Sequence, residues 1–518
     1  MANNFELTCG KQRGGKNVGQ EDFVLDWIGR GLPAVLLLPH EGDWDVRIVA
    51  LILSLFGGQK LWWHKLKETS RVFPLNFWIQ SQHPDPWQRR MENQANAAAV
   101  MEMIAHWRGV KWSEHPLIDE VLYYGLQLLL QQHDAHSLGD LGRILYPVDK
   151  FHKQLLATCT EDETFSFWRS IPRGRVAERK ELGGARRAFR EVFGDVAFSL
   201  RDSNTSFFDE SLHHGHVHVF SGTENQRSTS VLFNLVKYKA AQFVRNRYFT
   251  TGRPFPLLIL IDEAVGLGMI RRWDVDQVFQ QMAKMGLFVR IIAHSPNFGD
   301  PQLNEDVLQF MDCVRVFGCG SDTIALKLAK LIRTRAMDFH RVHHFDEQVR
   351  VVQSGYEEIE ERSRRVGKTD DTTITYRKRP KMVERVYRQE RYMDPDDIFL
   401  EDAGKLMCAP VGACFVADGA NVYWKQVKMR PEPWAWKEMT AMKVDAFYRE
   451  MLTRPEFVTP SLGGSERTLS SPSSQSIRER SIRSSNGVSG SESKNSDSPA
   501  TKRLLDALKR SAKKRGAP

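Results

Sequence analysis

Apolar positions along the chain fall into two patterns, short unbroken runs and longer stretches at helical spacing. The clearest run is Pro256-Leu257-Leu258-Ile259-Leu260-Ile261, which leads directly into Asp262, Glu263 and Ala264. Apolar residues without alternation predict a strand covered on both faces, as in a parallel sheet. Strand runs recur at 5–9, 34–38, 216–220, 286–296 and 313–318, and 412–419 with 422–425 reads as a terminal strand pair. Helical spacing is found at 23–28, 48–56, 229–249, 275–284 and 322–331. Between 87 and 206 the texture changes: buried-strand runs are absent, and helical stretches at 88–107 and 116–132 are followed by others, with a helix start at 137–141. Residues 340–394 interleave Arg, Glu and Lys and predict a long exposed hairpin or helical arm. After Pro460 the composition collapses to Ser, Gly and Arg, which predicts disorder ending in a short basic amphipathic helix at 502–510.

Composition narrows the class. A chain of 518 residues suffices for two or three domains and a sizeable core. The net charge of +9 points towards a polyanionic partner. Six cysteines (Cys9, Cys159, Cys313, Cys319, Cys408 and Cys414) are scattered without a CxxC pair. That argues against a zinc site or a disulfide framework and for a reducing compartment. The N-terminus is polar, without the pattern of a signal peptide. No apolar run reaches the ~18 residues of a membrane helix, so no transmembrane segment is expected.

Candidate chemistry sits at the ends of two of the runs. The first strand leads into Gly10-Lys11-Gln12-Arg13-Gly14-Gly15-Lys16-Asn17 and then Val18. This spacing matches G-x-x-x-x-G-K-[ST] except at its last position. Glycines let backbone N–H groups converge on phosphates, and a lysine reaches their β and γ oxygens. Gly10, Arg13, Gly14, Gly15, Lys16, Asn17 and Val18 are therefore candidate nucleotide contacts. Asn17 stands where a hydroxyl normally ligates Mg²⁺; an amide oxygen is a permissible but more demanding ligand. Asp262 and Glu263 would sit at a strand's carboxyl end, where open α/β sheets place ligands. Asp262 is then the candidate Mg²⁺ holder and Glu263 the base for an attacking water. The plain alternatives are a flexible glycine-rich turn and two solvated acids. Alternation would put His214, His216 and His218 on one side of a strand, near His213, but no carboxylate or cysteine accompanies them, so a metal site is the weaker reading. Arg173, Arg175, Arg179, Lys180, Arg186, Arg187 and Arg190 form either a solvated helix face or a phosphate-backbone contact.

The order of elements from about residue 5 to 431 resembles the FtsK/HerA branch of P-loop ATPases, and within it the TraG/TraD-like coupling proteins of type IV secretion and conjugation. Gly10, Gly15, Lys16, Asp262 and Glu263 carry the resemblance. Ala283-Lys284-Met285-Gly286-Leu287, Ala293-His294-Ser295-Pro296 and the charged stretch 377–391 with 393–398 add to it. The resemblance implies an α/β fold: a RecA-like, mostly parallel sheet with helices on both faces, an inserted all-α domain and a disordered C-terminal tail. The nucleotide-binding domain would comprise 1–86 and 207–435, the insertion 87–206, a helical extension 436–460 and the tail 461–518. It further implies ATP and Mg²⁺ as cofactors, DNA as substrate, a homo-hexameric ring, and relaxase and secretion-channel partners. Its place would be cytoplasmic, at the inner face of the membrane through partners. His294 stands where the family commonly has glutamine and would sense the γ-phosphate. Arg315 is a candidate trans arginine finger, with packing at the core edge or a surface ion pair as its other reading. Two rival functions remain open: a nucleotide- or DNA-binding adaptor that does not hydrolyse ATP, and a related packaging or segregation motor.

Overall fold

The described residues form eleven strands: β1 (Phe5–Cys9), β2 (Ala34–Leu38), β3 (Leu61–Lys65), β4 (Val217–Ser221), β5 (Leu257–Ile261), β6 (Leu287–Ala293), β7 (Cys313–Phe317), β8 (Val342–Arg364), β9 (Thr372–Tyr392), β10 (Ala413–Asp418) and β11 (Asn421–Gln426). The computed structural model describes residues 4–459 apart from 43, 109–111, 133–135, 147–149, 172–174, 195–200, 205–206, 337–341, 365–371, 393, 420 and 435–436. The tail predicted at 461–518, its basic helix and Arg173 lie outside the described residues.

Nine strands form one sheet in the order β11-β10-β7-β1-β6-β5-β2-β4-β3. From β7 to β3 every neighbouring pair is parallel, and β10 and β11 continue the sheet antiparallel. Every residue of β1, β2, β4 and β5 is buried, so both faces of the central sheet are covered. This is why these strands read as unbroken apolar runs: a solvated face would have imposed alternation. The sheet is the α/β, mostly parallel architecture expected.

Helix α1 (Val18–Gly29) follows the glycine loop, and α2 (Trp44–Phe56) follows β2. Between β3 and β4 lies a run of helices that opens with α3 (Pro86–Arg108) and α4 (Pro116–Leu130) and ends with Arg175–Phe193 and the short Phe208–His213. A 26-residue helix, Gln226–Thr251, leads into β5; Asn225 accepts from Arg227 N and Ser228 N at its start, and Gly252 ends it at φ 67°.

Strand β3, Leu-Trp-Trp-His-Lys, has no counterpart in the sequence reading. It is an edge strand in sheet order, yet Leu61, Trp62, Trp63 and His64 are buried. The helix Lys437–Leu452 covers it, with Met451 Sδ accepting from Trp63 N at 3.0 Å. The helix expected over 275–284 is instead a π-turn, Asp274–Phe279, and a 3₁₀ turn, Ala283–Met285. Gln280 N bonds Val275 O five residues back, and the start is pinned by Asp274, which accepts from Arg271 N and Lys237 Nζ. The charged segment is a hairpin, β8 against β9, from Val342↔Tyr392 to Arg364↔Thr372.

Candidate nucleotide site

The strand order brings the two distant motifs to one end of the sheet. β1 carries the glycine loop at its carboxyl end and β5 the acid pair, with β6 between them. The acids and the lysine therefore sit on strands flanking a third, whose own end carries His294.

Loop geometry explains its glycines. Gly10 has φ 146°, and a Cβ there would meet the Phe317 carbonyl oxygen at 2.8 Å. Gly15 has φ 97°, and its Cβ would approach Gly412 Cα to 3.1 Å. The loop is thus seated on the ends of β7 and β10, with Lys11 N donating to Gly318 O at 2.7 Å and Gly412 N to Gly14 O at 3.0 Å. Arg13, at φ 57°, adopts the left-handed conformation without being glycine.

Lys16 is buried. Its ammonium donates to Gly10 O at 2.7 Å and Lys11 O at 2.9 Å, and lies 3.2 Å from His294 Nδ1. Burial lowers its pKa, opposed by the charge of Asp262. An ammonium has no lone pair, so His294 Nδ1 must be the acceptor and the ring proton must lie on Nε2. That nitrogen faces Glu263 Oε1 at 3.3 Å. His294 therefore links the loop lysine to the second acid.

Glu263 has φ 55°, a strained conformation for a residue with a Cβ. Its other oxygen, Oε2, lies 2.6 Å from His40 Nε2. His40 follows β2, the neighbour of β5 on the side away from β6. The carboxylate is held between two imidazoles from the two flanking strands. Sequence reasoning missed His40; the signal available was a histidine just past the end of a buried strand.

Asp262 Oδ2 accepts from Asn17 Nδ2 at 3.1 Å, and Oδ1 accepts from Glu263 N at 3.0 Å. Burial, and then the charge of Glu263, push its pKa up to about 6. Asn17 makes no side-chain cap to α1 although it occupies the N-cap position. Its amide is turned to Asp262, which leaves Asn17 Oδ1 as the oxygen available to a cation.

These residues line one cavity of about 680 Å³, together with Gln12, Trp44, Arg47, Val411 and Met429. The size is within the range of pockets for cofactor-sized molecules. Gly14, Gly15, Val18 and Arg13 also line it. Gly10 contributes its carbonyl beneath the lysine.

Neither a protein-family model nor a curated protein matches the chain. Among solved structures, the bacterial conjugative coupling protein TrwBdeltaN70, in an unbound monoclinic form, is similar over 83% of this chain and 86% of that one, at 13% identity and a TM-score of 0.48. The plasmid coupling protein TrwB in complex with the GTP analogue GDPNP is similar over the same shares, at 15% identity and a TM-score of 0.47. TrwB in complex with ADP and Mg²⁺ is similar over 83% and 86%, at 13% identity and a TM-score of 0.46.

Arg315 is not among the cavity residues. Its Nε pairs with the buried Glu6 at 3.1 Å and Nη1 donates to Gly19 O at 3.2 Å. Glu6 also accepts from Gln20 Nε2 at 2.6 Å, so Arg315 belongs to a polar network beneath the loop. A finger offered to another copy needs a free guanidinium at the surface, and this one is engaged within its own chain.

The histidines near β4 are likewise engaged structurally. His218 Nδ1 lies 2.9 Å from His64 Nε2 and His218 Nε2 lies 2.6 Å from Ser211 Oγ. His216 Nδ1 accepts from Trp62 Nε1 at 2.7 Å. His214 lies before the strand, not on its alternating face. No group of three or more potential metal ligands is found among the described residues. No described helix is long and apolar enough to cross a membrane.

Proposed function

We propose that the chain is a P-loop ATPase that uses Mg²⁺ and moves DNA, a coupling-type motor working as a ring of copies. One observation supports this above the others. A glycine-loop lysine, two carboxylates and a histidine, from strands β1, β5 and β6, converge on one cavity of about 680 Å³.

Lys16 would exchange the carbonyls of Gly10 and Lys11 for the β and γ phosphate oxygens. Val18, the first residue of α1, lines the same cavity, and the positive end of a helix dipole favours negative charge there. A cation would rest on Asp262 and Asn17 Oδ1 and neutralise charge on the phosphates. The Asp262 carboxyl, with its raised pKa, must lose its proton to serve as that ligand. Glu263 would take the proton of the attacking water, its oxygens aimed by His40 and His294. His294 touches both Lys16 and Glu263, so a lysine drawn to phosphate would alter the base's hydrogen bond. That makes His294 the residue placed to sense the γ-phosphate. DNA as the polyanion is supported by the net charge of +9 and by the sequence resemblance. A relaxase and a secretion channel as partners follow from that resemblance alone.

Hydrolysis by wild type, Lys16→Ala and Glu263→Gln, with and without DNA, tests the proposal. Wild type should turn over and be stimulated by DNA. Lys16→Ala should lose binding and turnover together, whereas Glu263→Gln should bind normally and turn over about 10²–10⁴-fold more slowly. Equal turnover in all three would rule the mechanism out. The Asn17–Asp262 hydrogen bond favours one competing reading, an adaptor that binds nucleotide without hydrolysing it. Tight binding by wild type with negligible turnover would select that reading.

A further inference from the structure

The hairpin β8–β9 plays no part in the cavity. Its strands have 23 and 21 residues, a length of about 70 Å at the usual strand rise. Among the described residues it forms a sheet of its own, so the backbone groups of both outer edges lack a ladder partner. A lone two-stranded ribbon is marginal in water. This one also exposes Val349, Val351, Tyr356, Tyr376, Met382 and Val386, each more than half accessible. The register sets Val349 opposite Val386, Gln353 opposite Met382, Tyr356 opposite Pro380 and Glu360 opposite Tyr376. With the irregularity between Gln353 and Gly355, these apolar side chains all fall on one face.

Charge is divided by strand over one stretch. There β8 carries Glu357, Glu358, Glu360 and Glu361 and β9 carries Arg377, Lys378, Arg379 and Lys381; outside it the signs mix, with Arg350, Arg362 and Arg364 on β8 and Glu384 and Glu390 on β9. Inside the ribbon the two signs are matched over this stretch: Glu357 lies opposite Arg379, Glu358 opposite Lys378, and Arg377 pairs with Glu361 at 3.4 Å, whereas Arg350 lies opposite Arg385. Over 357–361 and 377–381 the ribbon therefore has one acidic and one basic edge, both open.

We propose that the β8 edge of one copy pairs with the β9 edge of a second copy, continuing the ribbon as a sheet shared between copies. Copies related by rotation present opposite edges to each other, and β9 of one then runs antiparallel to β8 of the next, as within the chain. The cross-strand matching of Glu with Arg or Lys repeats at the new seam. A two-fold contact that brings the charged stretches together is disfavoured, because 357–361 of two copies set glutamate against glutamate and 377–381 of two copies set arginine and lysine against their like. The contact is heterologous and propagates until rotation closes it. The shared sheet also gives the apolar face of each ribbon continuous neighbours. Nucleic acid on the basic edge alone would lie beside the acidic strand, which disfavours it as the occupant.

This inference rests on the ring reading for its expectation of several copies, but not on nucleotide chemistry. The test uses the full chain and a swap variant that exchanges the signs: Glu357→Lys, Glu358→Lys, Glu360→Lys and Glu361→Lys with Arg377→Glu, Lys378→Glu, Arg379→Glu and Lys381→Glu. The swap keeps every pair within the ribbon. Mass measurement in solution should find wild type and swap each self-associating, less so at high salt. Mixed and differently tagged, the two should sort into separate assemblies, because like edges now meet. Random mixing, or a wild type that stays monomeric, overturns the proposal. Should the swap fail to self-associate, the variants reversed on β8 alone and on β9 alone decide. Each should be monomeric, and together they should assemble by alternation; separate monomers in that mixture overturn the proposal. Nucleotide titration of the same variants keeps the two questions apart. Loss of assembly with binding intact concerns the ribbon, and absence of binding in wild type concerns the cavity.

Discussion

At the tip of β5 one carboxylate sets stability and chemistry against each other. Asp262 has its pKa raised to about 6, first by burial and then by Glu263. An unfolded aspartate titrates near 3.9. Between these values the folded chain holds the extra proton, so stability falls as pH rises through that window, and the ionised carboxylate remains a cost above it. Asp262→Asn should therefore raise stability at pH 7.5 by about 1–3 kcal/mol, with about half that gain at pH 5, while Mg²⁺-dependent nucleotide binding is lost. Thermal unfolding at the two pH values, with binding measured alongside, checks both halves; a loss of stability at pH 7.5 contradicts the account. Lys16, Asp262, Glu263 and His294 were legible because each stands at a fixed offset from a glycine loop or a strand end. His40 was not, since nothing local says which strand tip will lie beside β5. The choice between the two readings of Arg315 was closed to the sequence for the same reason: its ion-pair partner Glu6 is 309 positions away, on the neighbouring strand.

At the scale of elements, the seam between β3 and β4 holds histidines that fold uncharged. Burial lowers the pKa of His64 to about 3, that of His216 to about 4, and that of His218 well below its ordinary value. Unfolded histidines accept protons from about pH 6.5 downward. The unfolded state then binds more protons than the folded one, so stability is lost as pH falls below 6.5 towards 4. Asp262 contributes with the opposite sign, as do Glu102 and Asp119, whose pKa values burial also raises, but the buried histidines are shifted further. The urea midpoint should drop between pH 7 and pH 5, and His64→Gln should flatten that drop; an unchanged pH profile in the variant would count against it. Strand β3 escaped the sequence reading because two tryptophans, a histidine and a lysine carry neither an apolar run nor alternation. Its burial is supplied by a helix almost 400 residues later. The 275–284 segment has helical spacing but yields to the Lys237–Asp274 ion pair, 2.7 Å long and buried, which fixes where its first turn begins. Long, strongly periodic helices such as Gln226–Thr251 were legible because their caps and faces are local.

Over the whole molecule, local pattern indicated a parallel sheet but not its order, because order is set by crossovers between distant segments. The closing helix Lys437–Leu452 shows the same long reach, with Met451 fully buried against β3. Met451→Ala should cost about 2–4 kcal/mol, read by chemical denaturation. A cost near zero would mean that this helix does not hold the edge of the sheet. The central claim is that the glycine loop and the acid pair enclose a single site for a nucleoside triphosphate. Equilibrium titration of ATP and Mg²⁺ into the full chain and into Lys16→Ala tests it most directly. One Mg²⁺-dependent site per chain is expected, weakened at least about tenfold, or 1.4 kcal/mol, in the variant. Equal affinity in the two proteins, or no binding by wild type, would contradict it.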